Sequence, residues 1–221
     1  MAVSEKLVDY WKENYGYDKT NHVVIPCTID SCLTNTGISN STIELRKQMG
    51  VSETDTLLVF SGSTAGWQSM GSLYQILKNA FIENASLKLL LLSKDSIDNE
   101  FSTKFPDRVI HKWVEPEKVS SYLNASDYGL LFREDSVTNK ISSPVKFGEY
   151  LAAGLPVIIS NNVGDYSSFV KEKNCGFLFD SINWSSLKRL STDEKVKIQQ
   201  IAFTQLTKSA YAEVYKRVVN L

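Results

Sequence analysis

YGLLFREDSVTNKISSPVKFGEYLAAGLPVIIS, residues 128–160, is the stretch that decides the fold of this chain. Its first residues, Tyr128 to Phe132, form an apolar run that is too short for a helix and is bounded by polar residues. Such a run is typical of a buried strand. A second apolar run, Leu155 to Ile159 with Pro156 near its start, predicts a second buried strand. Between them lie a polar loop and one helix.

The helix between these strands has a start signal and a stop signal. Ser143 is a good N-cap and Pro144 suits the first helical position, so we expect the helix to begin there. A polar loop of about a dozen residues precedes it. Gly154 is expected to end the helix, because glycine is the residue most often found just beyond a helix C-terminus.

Three charged residues of this stretch predict a binding site. Lys146 falls in the first turn of the helix, where a cation opposes the helix dipole unless an anion is bound at the helix start. Arg133 leaves the preceding strand at its carboxyl end, where open parallel sheets bind ligands. Glu149 lies one turn further along and could accept hydrogen bonds from sugar hydroxyls. Alternatively, Lys146 and Glu149 form an ordinary surface ion pair.

Strands and helices alternate along the rest of the chain, which predicts an α/β fold with a Rossmann-like, doubly wound parallel sheet. Two of the predicted elements are short: a strand at His22–Ile25 and a helix at Trp184–Leu190. A polar loop is expected from Thr28 to Asn40, and a helical tail from Ser191 to Leu221. The remaining predicted strands are Thr56–Phe60, Leu87–Leu92, Arg108–Trp113 and Gly176–Phe179.

The composition is that of an ordinary globular protein. The 221 residues are 43% hydrophobic and 22% charged, and the net charge of −1 gives no basis for binding nucleic acid. No apolar run is long enough to cross a bilayer. Cys27, Cys32 and Cys175 have no disulfide rhythm and, with His22, no zinc spacing, so we expect a cytoplasmic protein without a metal site.

The pattern S-P-x-K-F-x-E-Y-L-A-x-G-x-P-V-I, residues 143–158, resembles the donor-binding segment of glycosyltransferase family 4, whose members have the two-lobed GT-B architecture. The resemblance extends over nearly the whole chain, through HVVIPCTID, LLVFSGS, YLNASDYGLLF and SAYAEVYKRVVNL. It implies that residues 1–26 are the last helix and hinge strand of the N-terminal lobe. Residues 27–221 would then be the nucleotide-sugar-binding domain with its C-terminal helical tail. We therefore expect this chain to be the C-terminal half of a longer transferase whose N-terminal acceptor lobe is missing.

The resemblance also implies roles for particular residues. Glu149 matches the second of two paired glutamates, the one near the donor ribose, whereas Ile141 stands where the first would face the donor sugar. Glu134, Asp135 or Asn139 could take over that role, or it could be absent.

Two loops are also expected to contact the nucleotide. The turn at Trp113 and Val114 would lie against the nucleotide base, where Trp113 either stacks on the base or is part of the core. The loop from Gly62 to Gly66 would approach the phosphates. It has Ser63, Thr64, Trp67 and Gln68 where the family carries diphosphate-binding cations, so Arg133 and Lys146 become the candidates for that role.

The implied function is retaining transfer of a glycosyl group from a nucleotide sugar in polysaccharide or glycolipid biosynthesis, without a metal cofactor. The catalytic residues, the base, the sugar and the acceptor are not predicted. The full enzyme is expected in the cytoplasm, with peripheral association at the inner face of the membrane. Two alternatives stay open: half of a sugar-nucleotide epimerase, and a non-catalytic nucleotide-binding module.

Overall fold

The computed structural model describes residues 1–30, 40–63 and 70–219. Within these ranges six parallel strands form a single sheet. The strands are β1 Thr56–Ser61, β2 Leu87–Leu92, β3 Val109–Lys112, β4 Tyr128–Leu131, β5 Val157–Ile159 and β6 Gly176–Leu178. The helices are α1 Glu5–Tyr15, α2 Asn40–Gln48, α3 Met70–Glu83, α4 Asn99–Lys104, α5 Pro116–Ala125, α6 Val137–Lys140, α7 Val145–Ala152, α8 Tyr166–Lys173, α9 Thr192–Gln205 and α10 Ala212–Val219.

The strand order is β3-β2-β1-β4-β5-β6, which confirms the predicted doubly wound sheet. The chain reverses its direction of growth between β1 and β4, and ligands of such sheets bind at the carboxyl ends of the strands flanking this switch point. None of the helices within the described ranges combines the length and hydropathy needed to span a bilayer.

The core consists of two apolar layers, one on each face of the sheet. Leu57 and Val59 of β1 face the layer that contains α7, whereas Leu58 and Phe60 face the layer that contains α3. All four are almost completely buried, because in a parallel sheet helices cover both faces. Each such side chain contributes about 1.5–3 kcal/mol of hydrophobic stabilisation.

A buried charge network closes the amino end of the sheet. Arg46 of α2 donates to the Asp127 carboxylate, with 3.1 Å between Nη1 and Oδ2, and Asp127 also accepts from the backbone N–H of Leu57. Lys195 of α9 donates to the backbone oxygens of Asn124 and Ser126, at the C-terminus of α5. These contacts attach α2, α5 and α9 to the starts of β1 and β4.

Two predicted elements are wrong. His22–Ile25 is not a strand of the sheet: it forms only an isolated bridge between Val24 and Ala2, because the N-terminal segment pairs with itself. The predicted helix Trp184–Leu190 is only one 3-10 turn, Trp184–Ser186, after which the backbone at Leu187 is extended.

The start of α7 also differs from the prediction. Pro144, not Ser143, is the N-cap, and it provides no side-chain hydrogen bond. The Ser143 hydroxyl instead contacts the Tyr166 hydroxyl at 2.9 Å and accepts from the backbone N–H of Cys27. Gly154 lies just beyond the helix with φ of +74°, as predicted for a glycine stop. The preceding loop contains the short helix α6, capped by Ser136.

Several predictions concern residues outside the described ranges. Most of the predicted loop Thr28–Asn40 belongs to this group, as do Cys32 and, in the glycine-containing loop, Thr64, Trp67 and Gln68.

Candidate functional site

An open cleft of about 350 Å³ lies at the carboxyl ends of β1, β2 and β3. Four residues singled out in the sequence line it together: Gly62 and Ser63 after β1, and Trp113 and Val114 after β3. Trp113 is 50% exposed and therefore is not part of the core. The cleft is completed by Ser61, Leu92, Ser93, Lys94, Asp95 and Val119.

Backbone hydrogen bonds hold the three strand ends side by side. The N–H of Gly62 donates to the carbonyl of Leu92 at 3.0 Å, and the N–H of Ser93 donates to the carbonyl of Lys112 at 3.1 Å. Gly62 has φ of +148°, a conformation that residues with a Cβ atom rarely adopt. The turn after β1 therefore requires glycine, and its backbone is accessible to a ligand.

The Tyr150 side chain lies at the switch point, between the ends of β1 and β4. The two strands pair only at Leu58–Tyr128 and Val59–Gly129. Beyond that point the Tyr150 hydroxyl accepts from the N–H of Ser61 at 3.0 Å and lies 3.4 Å from the carbonyl of Leu130. Burial raises the pKa of Tyr150 above its ordinary value, so the hydroxyl stays protonated and can donate to that carbonyl. Tyr150 thus bridges the carboxyl ends of β1 and β4 where the two strands no longer pair with each other.

Arg133 follows β4 at the same end of the sheet. Its backbone N–H donates to the Ser160 hydroxyl at 2.8 Å. In its side chain the Nε atom is buried and has no hydrogen-bond partner among the described residues. Burial lowers the pKa of the Arg133 guanidinium, which still remains charged at neutral pH. A buried N–H donor without an acceptor is costly, so an anionic ligand that accepts from this group would be bound favourably here.

The start of α7 carries the other two predicted ligand residues. Lys146 and Glu149 form an ion pair, with 3.3 Å between Nζ and Oε2, and each side chain is about 30% exposed. Glu149 also lines a cavity of about 180 Å³ beneath α5, which shares Val119 with the larger cleft. The two residues are thus paired with each other and remain partly accessible to solvent.

Ile141 stands where the resemblance would place a sugar-facing glutamate. It lines a surface pocket beside α1, and its carbonyl accepts from the Ser4 hydroxyl at 2.7 Å. Of the three residues considered for that role, Asp135 is paired with Lys140 at 2.7 Å, and Asn139 is buried and donates to the carbonyl of Glu134. The Glu134 side chain is exposed and has no ion pair within the described part of the chain.

The sequence pattern did not single out Tyr150 as a functional residue. Its role depends on a hydrogen bond to Ser61, which is 89 positions away. The available signal was the tyrosine hydroxyl itself, because a buried tyrosine hydroxyl usually has a hydrogen-bond partner.

Solved glycosyltransferase structures have the same fold. The chain is similar to WaaG, a glycosyltransferase involved in lipopolysaccharide biosynthesis, with a TM-score of 0.66 and 18% identity over 93% of this chain and 58% of that one. It is similar to Anabaena HepE in complex with UDP, with a TM-score of 0.71 and 14% identity over 100% of this chain and 63% of that one. It is also similar to a glycosyltransferase from Rickettsia africae, with a TM-score of 0.69 and 17% identity over 99% of this chain and 62% of that one.

The chain therefore spans about three fifths of the length of these proteins. No curated protein matches its sequence. Residues 71–219 match the family described as the glucosyltransferase 3-like C-terminal domain, and this match covers α3 to α10 with five of the six strands. The fold and this match confirm the expected glycosyltransferase resemblance, and the chain belongs to the glucosyltransferase 3-like C-terminal domain family.

Proposed function

We propose that this chain is the donor-binding half of a retaining glycosyltransferase and binds a nucleotide sugar. The observation that carries the proposal is Arg133, whose buried Nε lacks a partner among the described residues at the carboxyl end of β4. An anion at this position would accept from that group, and the cleft that ends at Trp113 has room for a nucleoside. Three neighbouring structures of HepE, with UDP or UDP-glucose, favour a nucleotide sugar as the ligand.

The proposed chemistry needs positive charge more than it needs a proton donor. When the sugar C1–oxygen bond breaks, the diphosphate leaves with the electron pair, and its negative charge grows. Arg133, Lys146 and the backbone N–H groups at the start of α7 are the groups that we assign to stabilise that charge. Because the N-cap residue is Pro144, no N-cap side chain accepts a hydrogen bond from those N–H groups. This assignment requires no metal ion.

Glu149 is assigned to the ribose. Its carboxylate is paired with Lys146, and the residue lines the cavity that shares Val119 with the cleft. A carboxylate accepts hydrogen bonds from two adjacent hydroxyls, which is the pattern that a ribose presents. In this proposal Lys146 turns from Glu149 to the diphosphate when the donor binds, and Glu149 becomes free to accept from the sugar.

The acceptor would be bound by a further lobe that this chain lacks, and the complete enzyme would act in polysaccharide or glycolipid biosynthesis at the inner face of the membrane. A second candidate is a nucleotide-binding module without catalytic activity. It is favoured by Ile141, an apolar residue where the family carries a glutamate, and by Ser63, an uncharged residue where the family carries a cation.

The proposal is tested by calorimetric titration of the chain with UDP-, GDP- and ADP-sugars. We expect saturable binding of sugars carrying one of these bases, with weaker binding of the corresponding monophosphate. The absence of binding to all three would overturn the proposal. Binding without transfer, when the chain is joined to its missing lobe and given an acceptor, would favour the non-catalytic module.

A further inference from the structure

Lys94 is a cation in the cleft that neither the sequence pattern nor the proposed function uses. It directly follows Ser93 at the carboxyl end of β2, and among the described residues lining the cleft it is the only lysine or arginine. It has no hydrogen bond or ion pair among those that the described residues form. Its ammonium instead lies over the ring of Trp113, with 4.6 Å between Nζ and the ring centroid.

The strand order places Lys94 between the two ends of the cleft. Trp113 follows β3, Lys94 follows β2, Gly62 follows β1 and Arg133 follows β4, and these four strands are consecutive neighbours in the sheet. A nucleotide whose base lies against Trp113 and whose phosphates reach Gly62 must therefore pass Lys94. Lys94 and Arg133 lie on opposite sides of the glycine turn.

The ammonium of Lys94 lies over one face of the Trp113 ring. Aromatic side chains bind bases by stacking, which requires a free ring face. A cation over an exposed ring is held weakly, whereas an ammonium that donates to a phosphate makes a charge-assisted hydrogen bond. The flexible four-carbon stem of lysine allows the ammonium to exchange one partner for the other.

We infer that Lys94 is a diphosphate-binding residue that exchanges its contact with the Trp113 ring for the phosphates when a base stacks on that ring. It supplies charge beside the glycine turn, where Ser63 supplies none. This inference rests on the proposed function, because it takes a nucleotide as the ligand of the cleft.

The test compares UDP with uridine, which has the same base and no phosphate, and repeats the pair with GDP and guanosine and with ADP and adenosine. Lys94→Met keeps the length of the side chain and removes its charge. We expect it to weaken binding of the nucleoside diphosphate about tenfold or more, because a charge-assisted hydrogen bond is lost. Nucleoside affinity should stay the same or rise, because the Trp113 face is then less occupied. Lys94→Arg should restore most of the diphosphate affinity.

Two further variants serve as controls. Trp113→Leu should weaken nucleoside and nucleoside diphosphate by similar factors and remove the quenching of tryptophan fluorescence by the base. Lys171→Met, on the exposed surface of α8, should bind like the wild type. Wild-type affinity of Lys94→Met for the diphosphate, or equal losses for nucleoside and diphosphate, would overturn the inference alone. A wild-type protein that binds none of the nucleotides would overturn it together with the proposed function.

Discussion

The ring of Tyr150 lies directly on the backbone of Gly129: a Cβ atom at position 129 would come within 2.5 Å of the ring atoms Cγ and Cδ2. Only glycine lets the ring lie so close to β4, and only from there does its hydroxyl contact the N–H of Ser61. The position of the Tyr150 ring between β1 and β4 therefore requires glycine at position 129.

We expect Gly129→Ala to lower the free energy of unfolding by about 1–3 kcal/mol, because the added methyl group overpacks the core. Tyr150→Phe keeps the ring and removes the hydroxyl, which leaves the buried N–H of Ser61 without its acceptor, at a cost of about 1–3 kcal/mol. Urea denaturation measures both. The control is Gly71→Ala in the first turn of α3, where a Cβ atom meets nothing within 4 Å, and which should leave stability unchanged or raise it slightly. Wild-type stability of Gly129→Ala would contradict the packing described.

Arg133→Ala and Lys146→Ala should each weaken nucleoside diphosphate binding by about 1.5–3 kcal/mol, the range for hydrogen bonds to charged groups. The Arg133 change should cost little stability, because its Nε has no partner to lose among the described residues. Calorimetry on the single and double variants gives the values. If the folded double variant bound with wild-type affinity, neither residue would hold the diphosphate.

Glu149→Gln retains the shape of the side chain and removes its charge. We expect lower nucleotide affinity and an almost unchanged melting temperature, since an ion pair with Lys146 that is about 30% exposed stabilises little. Titration and thermal unfolding of the same sample separate the two effects. A clear fall in melting temperature with unchanged affinity would show that Glu149 is structural.

Lys195 makes stability depend on pH. Burial lowers its pKa to about 8, against about 10.4 in the unfolded chain. Between these values the unfolded chain binds a proton that the folded chain has released, so stability rises with pH. Between pH 7 and pH 10 the unfolding free energy of the wild type should rise by about 2 kcal/mol more than that of Lys195→Met. Urea denaturation at several pH values provides the comparison, and a constant difference would show that Lys195 does not titrate in this window.

The chain alone should bind the donor and fail to transfer sugar. Positioning two reactants together supplies roughly 7–11 kcal/mol of a reaction barrier, and a half without the acceptor lobe loses most of that contribution. The measurement is product formation by the 221-residue chain, given a bound donor and the acceptor of the full enzyme. Turnover near the rate of the full enzyme would show that no acceptor lobe is needed.

The sequence predicted the features that depend on local pattern and failed where a side chain has a distant partner. The strands of the sheet and most helices were found, because apolar runs and helix stop signals are local. Ser143 was misassigned as a cap because its hydroxyl contacts Tyr166, 23 positions away. Likewise nothing local connects Arg46 with Asp127, which are 81 positions apart.

The same distinction between local pattern and distant partners applies to the candidate site. Trp113, Arg133 and Lys146 were located from their positions at strand ends and at a helix start. Their present partners, such as the carboxylate of Glu149 on Lys146 and the ammonium of Lys94 on Trp113, follow from the packing of the strands. Lys94 itself carried the same local signal as Arg133, a cation two residues after the end of a buried strand.

The buried network of Arg46, Asp127 and Lys195 lies at the amino end of the sheet, and the cleft lies at the carboxyl end. One end therefore anchors the domain through buried charges, whereas the cleft at the other end exposes Ser63, Lys94 and Trp113 to solvent. Substitutions of these three exposed residues should change the surface of the cleft with little loss of stability. The cleft can therefore accumulate sequence changes that the buried network at the opposite end would not tolerate.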